Sequence, residues 1–309
     1  MNTPSNAIPD SPFAAQAPAP APIPASRRMY WSVRRELWEY RSIYIAPLAV
    51  AALILLGSLI SSYRLPANMR AILTLDPMHQ RHAIQQHYHI AALLIMGTTF
   101  IVGVFYCLDA LHGERRDRSI LFWKSLPVSD LTTVLSKASI PLVVLPLLTF
   151  AVTVVMQFIM LLLSSAVLLG NGLSVATLWT QVSLFQMSLL LLYHLLAVHS
   201  LWYAPIYGWM LLVSGWARRA AFLWAALPLL AIGVVEKLAF NTTHFAAMLE
   251  NRIGGDVSAV TMPGSVPMDP MTHLTPLHFL SSPGLWIGLA ITAACLAGAV
   301  RLRRYQGPI

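Results

Sequence analysis

The chain has 309 residues and a mass of 34.0 kDa; 57% of its residues are hydrophobic and 10% are charged, against roughly 45–50% and about 25% in soluble domains. So few charges cannot cover that much apolar surface in water, which excludes a soluble globular fold, and two cysteines in apolar runs exclude a secreted disulfide scaffold. The formal net charge of +8 comes from lysines and arginines dispersed at the ends of apolar segments, with no basic face, so nucleic acid is not an expected partner.

Residues 1–26 are rich in Pro and Ala and carry no apolar periodicity. Such a segment buries too little surface to offset its ordering entropy, and it is expected to be a disordered tail. It lacks the basic and apolar regions of a signal peptide. The next stretch, residues 27–41, repeats Tyr30, Val33, Leu37 and Tyr44 at helical spacing, with Trp31, Arg34, Arg35 and Trp38 among them. Rings and guanidinium groups in that pattern predict an amphipathic helix lying in the headgroup layer.

A helix needs about 20 apolar residues to cross the hydrocarbon core. Six stretches qualify, at about 43–62, 90–108, 139–168, 177–213, 220–238 and 284–300. The third and fourth are overlong, and Pro141, Pro146 and Pro205 are expected to kink them. Turns are expected at Gly170–Gly172 and Ser214–Arg219. With the N-terminus inside, fifteen of the twenty Lys and Arg residues fall on the inner side and five on the outer. The positive-inside rule therefore predicts six spans with both termini cytoplasmic, in one membrane unit over residues 27–304 followed by a short tail, 305–309.

The segment 109–130 between the second and third spans has more chemistry than a connection requires. Glu114, Arg115, Arg116, Asp117 and Arg118 run directly into Ile120, Leu121, Phe122, Trp123 and Lys124. Pro127 is expected to end that helix, and Ser129 with Asp130 to cap the next. Apolar anchors rimmed by charges are what a docking surface needs.

Glu114-Arg-Arg-Asp-Arg-Ser-Ile-Leu-Phe-Trp-Lys-Ser-Leu-Pro-Val-Ser129, with Lys137 beyond it, resembles the segment after the second span in type-2 ATP-binding-cassette (ABC) permeases. The six-span, N-inside layout and the amphipathic first helix extend that resemblance over about residues 27–304. The resemblance implies that Glu114–Lys124 is a coupling helix seated in a groove of a separate ATPase. Glu114, Arg115, Arg116, Asp117 and Arg118 would provide charged contacts, and Leu121, Phe122 and Trp123 the apolar anchor. No phosphate loop of the G-x-x-x-x-G-K-[ST] type occurs in the chain. ATP and Mg would belong to the partner, and this chain would carry no cofactor and no enzymatic activity of its own. The implied assembly is a homodimer, or a dimer with a related permease, in a bacterial inner membrane, exporting an unidentified substrate.

Polar groups within the spans are candidates for a translocation path or for interhelical hydrogen bonds: Thr149, Thr153 and Gln157 on one stripe, with Gln186 and His194 on the fourth run. His194 and His199 lie about 140° apart on a regular helix and do not share a face. Ala290, Ala294 and Gly298 form a small-residue seam expected to serve packing. His79, His82, His87 and His89, with Asp76, are expected in a solvated outer loop. Their spacing fits no tight metal signature; the alternative reading is a membrane haem or metal protein that uses these histidines with His194 or His199. The outer loop 239–283 is long enough for a lid or short re-entrant helices. H-E-x-x-H and G-x-S-x-G motifs are missing.

Overall fold

Backbone groups in hydrocarbon must satisfy one another, which favours helix in every span. A computed structural model of the chain describes residues 24–125, 128–254 and 276–307, and among these every regular element is helical. The tail expected over 1–23, the helix end expected at Pro127 and residues 255–275 lie outside the described residues.

Helix α1 (Ala25–Glu39) precedes α2 (Ser42–Ser61), which continues through a tight turn into α3 (Leu65–Ile72). Then come α4 (Pro77–Ala110) and two short helices, α5 (His112–Arg116) and α6 (Ile120–Ser125). Helix α7 (Asp130–Ser139) runs through a wide turn, Ile140–Val144, into α8 (Leu145–Gly170). The fourth apolar run is divided into α9 (Ala176–Gln181), α10 (Leu184–His194), a second wide turn (Leu195–Trp202) and α11 (Ala204–Trp216). The described chain ends with α12 (Ala221–Phe240), α13 (His244–Gly254), α14 (Pro276–Ser281) and α15 (Pro283–Tyr305). Among the described residues, six helical stretches are long and apolar enough to cross a membrane.

The prolines account for the irregularities. Proline offers no N–H to the carbonyl four residues back and crowds it. Pro141 sits at the start of the first wide turn, and Pro205 follows the second at the start of α11. Ser129 caps α7 by accepting the Thr132 amide, 3.1 Å away, as its sequence position suggested.

Two expectations change. The histidine-bearing outer loop is helical, because α4 begins at Pro77, well before the apolar stretch. The seam of α15 against α11 uses Gly288, Thr292, Cys295 and Ala299, whereas Ala290 and Ala294 are exposed. Gly208 of α11 meets it closely: a Cβ there would stand 3.3 Å from the Thr292 Cα.

Helices α4, α11 and α15 run in the same direction. Gly103 faces Tyr207 and Gly208 faces Thr292, and further along the Leu111 amide donates to Ser214 Oγ. Helix α8 runs the other way, with Leu145 beside Gly103 and Gln157 donating to the Tyr88 carbonyl at 3.3 Å. Consequently α1, residues 109–139, 214–221 and 301–307 gather at one end of the bundle. The segments 62–87, 171–183 and 241–254 gather at the other.

Candidate functional site

At the first of these ends, three helices each carry one charge within an apolar stripe. Glu36 of α1 lies between Val33, Leu37 and Tyr40; Lys137 of α7 accompanies Val134 and Ala138; Arg303 of α15 follows Ala299 by one turn. Burying the stripes buries the charges: Glu36 and Lys137 are 0% exposed, Glu114 2% and Arg303 5%. They meet around Glu114. Its Oε1 accepts from Arg35 Nη2 at 2.7 Å and lies 3.1 Å from Lys137 Nζ, while its Oε2 is paired with Arg303 Nη1. Lys137 also donates to both oxygens of Glu36, at 2.9 and 3.1 Å, and the Tyr106 hydroxyl donates to Glu36 at 2.9 Å. Arg303 reaches on to Asp130, 3.2 Å away.

Arg35, Lys137 and Arg303 thus balance Glu36, Glu114 and Asp130. Removing ions from water costs several kcal/mol each, and only tight, saturated pairing offsets it. Burial alone would lower the pKa of Arg35, but the Glu36 and Glu114 carboxylates outweigh it and raise the pKa. The outcome is a dense ionic junction, with the exposed Glu39 3.6 Å from Arg35 at its rim, that ties α1, α5, α7 and α15 into one piece.

The junction also corrects the predicted roles. Glu114 and Arg115 were expected to face a partner, and both are buried. Arg115 donates to the carbonyls of Gly215 at 2.6 Å and Gly307 at 3.3 Å, which fixes α5 against the end of α11 and the C-terminal segment. Arg35, expected in the headgroup layer, turns inward, and its guanidinium lies 3.9 Å from the centroid of the Trp123 ring. Trp123 is accordingly half-buried. Arg34 does remain on the outer face, stacked between the exposed rings of Trp31 and Trp38.

What is left outward on the connecting segment is a smaller set. Arg116, Asp117, Arg118 and Lys124 are exposed, and Leu121 and Phe122 are 59% and 60% exposed. Arg118 takes a left-handed conformation (φ 57°), which sets the sharp turn between α5 and α6. Lys124 donates to the Gln306 carbonyl at 3.1 Å. One face of the segment is locked into the bundle and the other presents two apolar side chains in a charged rim.

The remaining candidates do not converge. Thr149, Thr153 and Gln157 are buried along one stripe of α8, whereas Gln186 and His194 are exposed on α10. His199 is buried, 3.3 Å from the Tyr207 hydroxyl, so it and His194 do face apart. His79, His82 and His87 are exposed along the N-terminal part of α4, and His89 is half-buried. Among the described residues no three of His, Cys, Asp and Glu come together as metal ligands would. At the end of α12, Glu236 accepts from the amides of His244 and Phe245, capping α13.

Glu36, Asp130 and Arg303 were not among the site residues expected from the sequence. The signal was present: an acid or base inside an apolar stripe at helical spacing marks a charge that packing will bury. No family model, no curated protein and no solved structure matches this chain.

Proposed function

We propose that this chain is the transmembrane subunit of an ABC transporter, in which a separate ATPase binds ATP and Mg and drives substrate movement across a bacterial inner membrane. The observation that carries the proposal is the two-faced connecting segment. Leu121 and Phe122 form an exposed apolar pair within Arg116, Asp117, Arg118 and Lys124, a composition suited to a groove on a partner. Behind them, Glu114 holds α1, α7 and α15 through buried ion pairs. Force applied to the exposed face would reach three helices through a junction that has little freedom to deform. On this proposal both termini and the junction are cytoplasmic, α1 lies in the inner headgroup layer, the permease works as a dimer, and transport runs outward.

The test is a photo-reactive residue at position 122 of the full chain in native membranes. The expected adduct is a protein containing a phosphate loop, and Leu121→Ser/Phe122→Ser should abolish co-purification with it. The double variant should keep its stability to within about 0.5 kcal/mol, because both side chains are exposed. Labelling of a cysteine at 122 from the outer side of intact cells would overturn the proposal.

A further inference from the structure

The ionic junction is balanced, but its neighbour is not. Arg115 is buried, and the groups that hold it are carbonyl oxygens, those of Gly215, Ala217 and Gly307. The nearest acid in sequence, Glu114, is already engaged by Arg35, Lys137 and Arg303. Directly after Ala217 come Arg218 and Arg219, both exposed and without an ion pair among the described residues. Ala220, in the left-handed region at φ 48°, turns the chain sharply into α12. The positive end of that helix dipole is added to the same corner. Three guanidinium groups therefore share one corner with no carboxylate paired to them among the described residues.

The corner has an apolar side as well. Trp216 and Trp224 pack edge to face, with ring centroids 4.9 Å apart, and both are about half exposed. Phe222 and Leu223 beside them are also exposed. Unbalanced cations next to paired indoles, at the end of a membrane-spanning hairpin, match an amphiphile with an anionic head and an apolar body. A soluble anion would use the arginines and leave the tryptophans unused.

We propose that Arg218 and Arg219 bind the headgroup phosphate of an anionic phospholipid whose acyl chain lies against Trp216 and Trp224. Arg115 contributes field from behind and makes no direct contact. The inference needs only that the chain spans a bilayer, and it makes no use of an ATPase.

Native mass spectrometry of the full chain in detergent tests it, with phosphatidylglycerol, phosphatidylcholine and soluble glycerol 3-phosphate as probes. Phosphatidylglycerol is expected to be retained about tenfold over phosphatidylcholine, a ratio in keeping with two basic residues at an anionic headgroup. Arg218→Gln/Arg219→Gln should bring the ratio close to one, and an unchanged thermal transition would show that the fold survives. Arg64→Gln/Arg70→Gln, a charge-matched pair toward the opposite end, should leave the ratio as it was. Trp224→Ala should weaken retention of both lipids and preserve the preference. The proposal is overturned by an unchanged ratio in the Arg218/Arg219 variant. Equal loss in both arginine pairs, or glycerol 3-phosphate displacing the lipid at equal concentration, would also overturn it.

Discussion

The two ends of the bundle are held by different physics. At one end three carboxylates and three cations converge around Glu114 from four helices, with Glu36, Glu114, Lys137 and Arg303 buried and Arg35 and Asp130 partly exposed at the rim. At the other, helices pack through a buried apolar cluster that includes Met69, Ile84, Leu168 and Val182, and the polar links between them are single hydrogen bonds, such as Gln85 to the Gln181 carbonyl at 2.8 Å and Arg252 to the Gly284 carbonyl at 3.1 Å. Arg252 also lies 4.1 Å from the centroid of the Trp202 ring, and its partial burial lowers its pKa. Ionic packing is all-or-none: it is rigid when complete and severely unstable when one member is missing. Single hydrogen bonds and ring contacts give up little when broken. The first end is suited to transmitting force, and α13, which is largely exposed and attached through Arg252, to local opening.

That contrast sets an order of expected effects. Glu114→Gln leaves Lys137 and Arg303 buried with too little negative charge, and should cost about 3–5 kcal/mol in denaturant unfolding of the solubilised protein. A loss below about 1 kcal/mol would make the junction incidental to the fold. Glu36→Gln and Lys137→Met should each destabilise strongly. The double variant should cost less than their sum, with a coupling of about 1–3 kcal/mol read from the four-member cycle.

Gly208→Ala, which forces a Cβ toward the Thr292 backbone, should cost about 1–3 kcal/mol in the same assay. Arg252→Ala, at the opposite end, should cost only about 1 kcal/mol while raising amide hydrogen exchange in α13. Smallest of all, His79→Ala/His82→Ala should stay within about 0.5 kcal/mol, because both side chains are exposed. Should Arg252→Ala prove as damaging as Glu114→Gln, the distinction between the two ends would fail.

Much of the architecture was readable along the chain. The six apolar stretches are long enough to span and became six helical candidates, and the Ser129 cap and the turn after Gly170 lie where local chemistry put them. The outer segment before residue 90 was misjudged because its polarity suggested a loop, whereas Pro77 starts a helix that polar residues continue without strain. The fourth run was harder still. Its composition is uniformly apolar, and the division at Ser183 and at Leu195–Trp202 is set by a cap and by a proline three residues beyond the second break.

For the site, residue types were legible and directions were not. Glu114, Arg115 and Arg116 are adjacent in a charged cluster, yet the first two are buried and the third is exposed. Which way each points depends on partners that periodicity cannot locate, since Arg35 and Arg303 are 79 and 189 residues from Glu114.

Sequence alone determined that this chain is helical, apolar and long enough to cross a bilayer six times, because those properties follow from composition over windows of about 20 residues. Tertiary structure decided which charges are shared inside and which are left at the surface. A buried ion is tolerated only where counter-ions arrive from other helices, and that convergence exists only once α1, α5, α7 and α15 have packed.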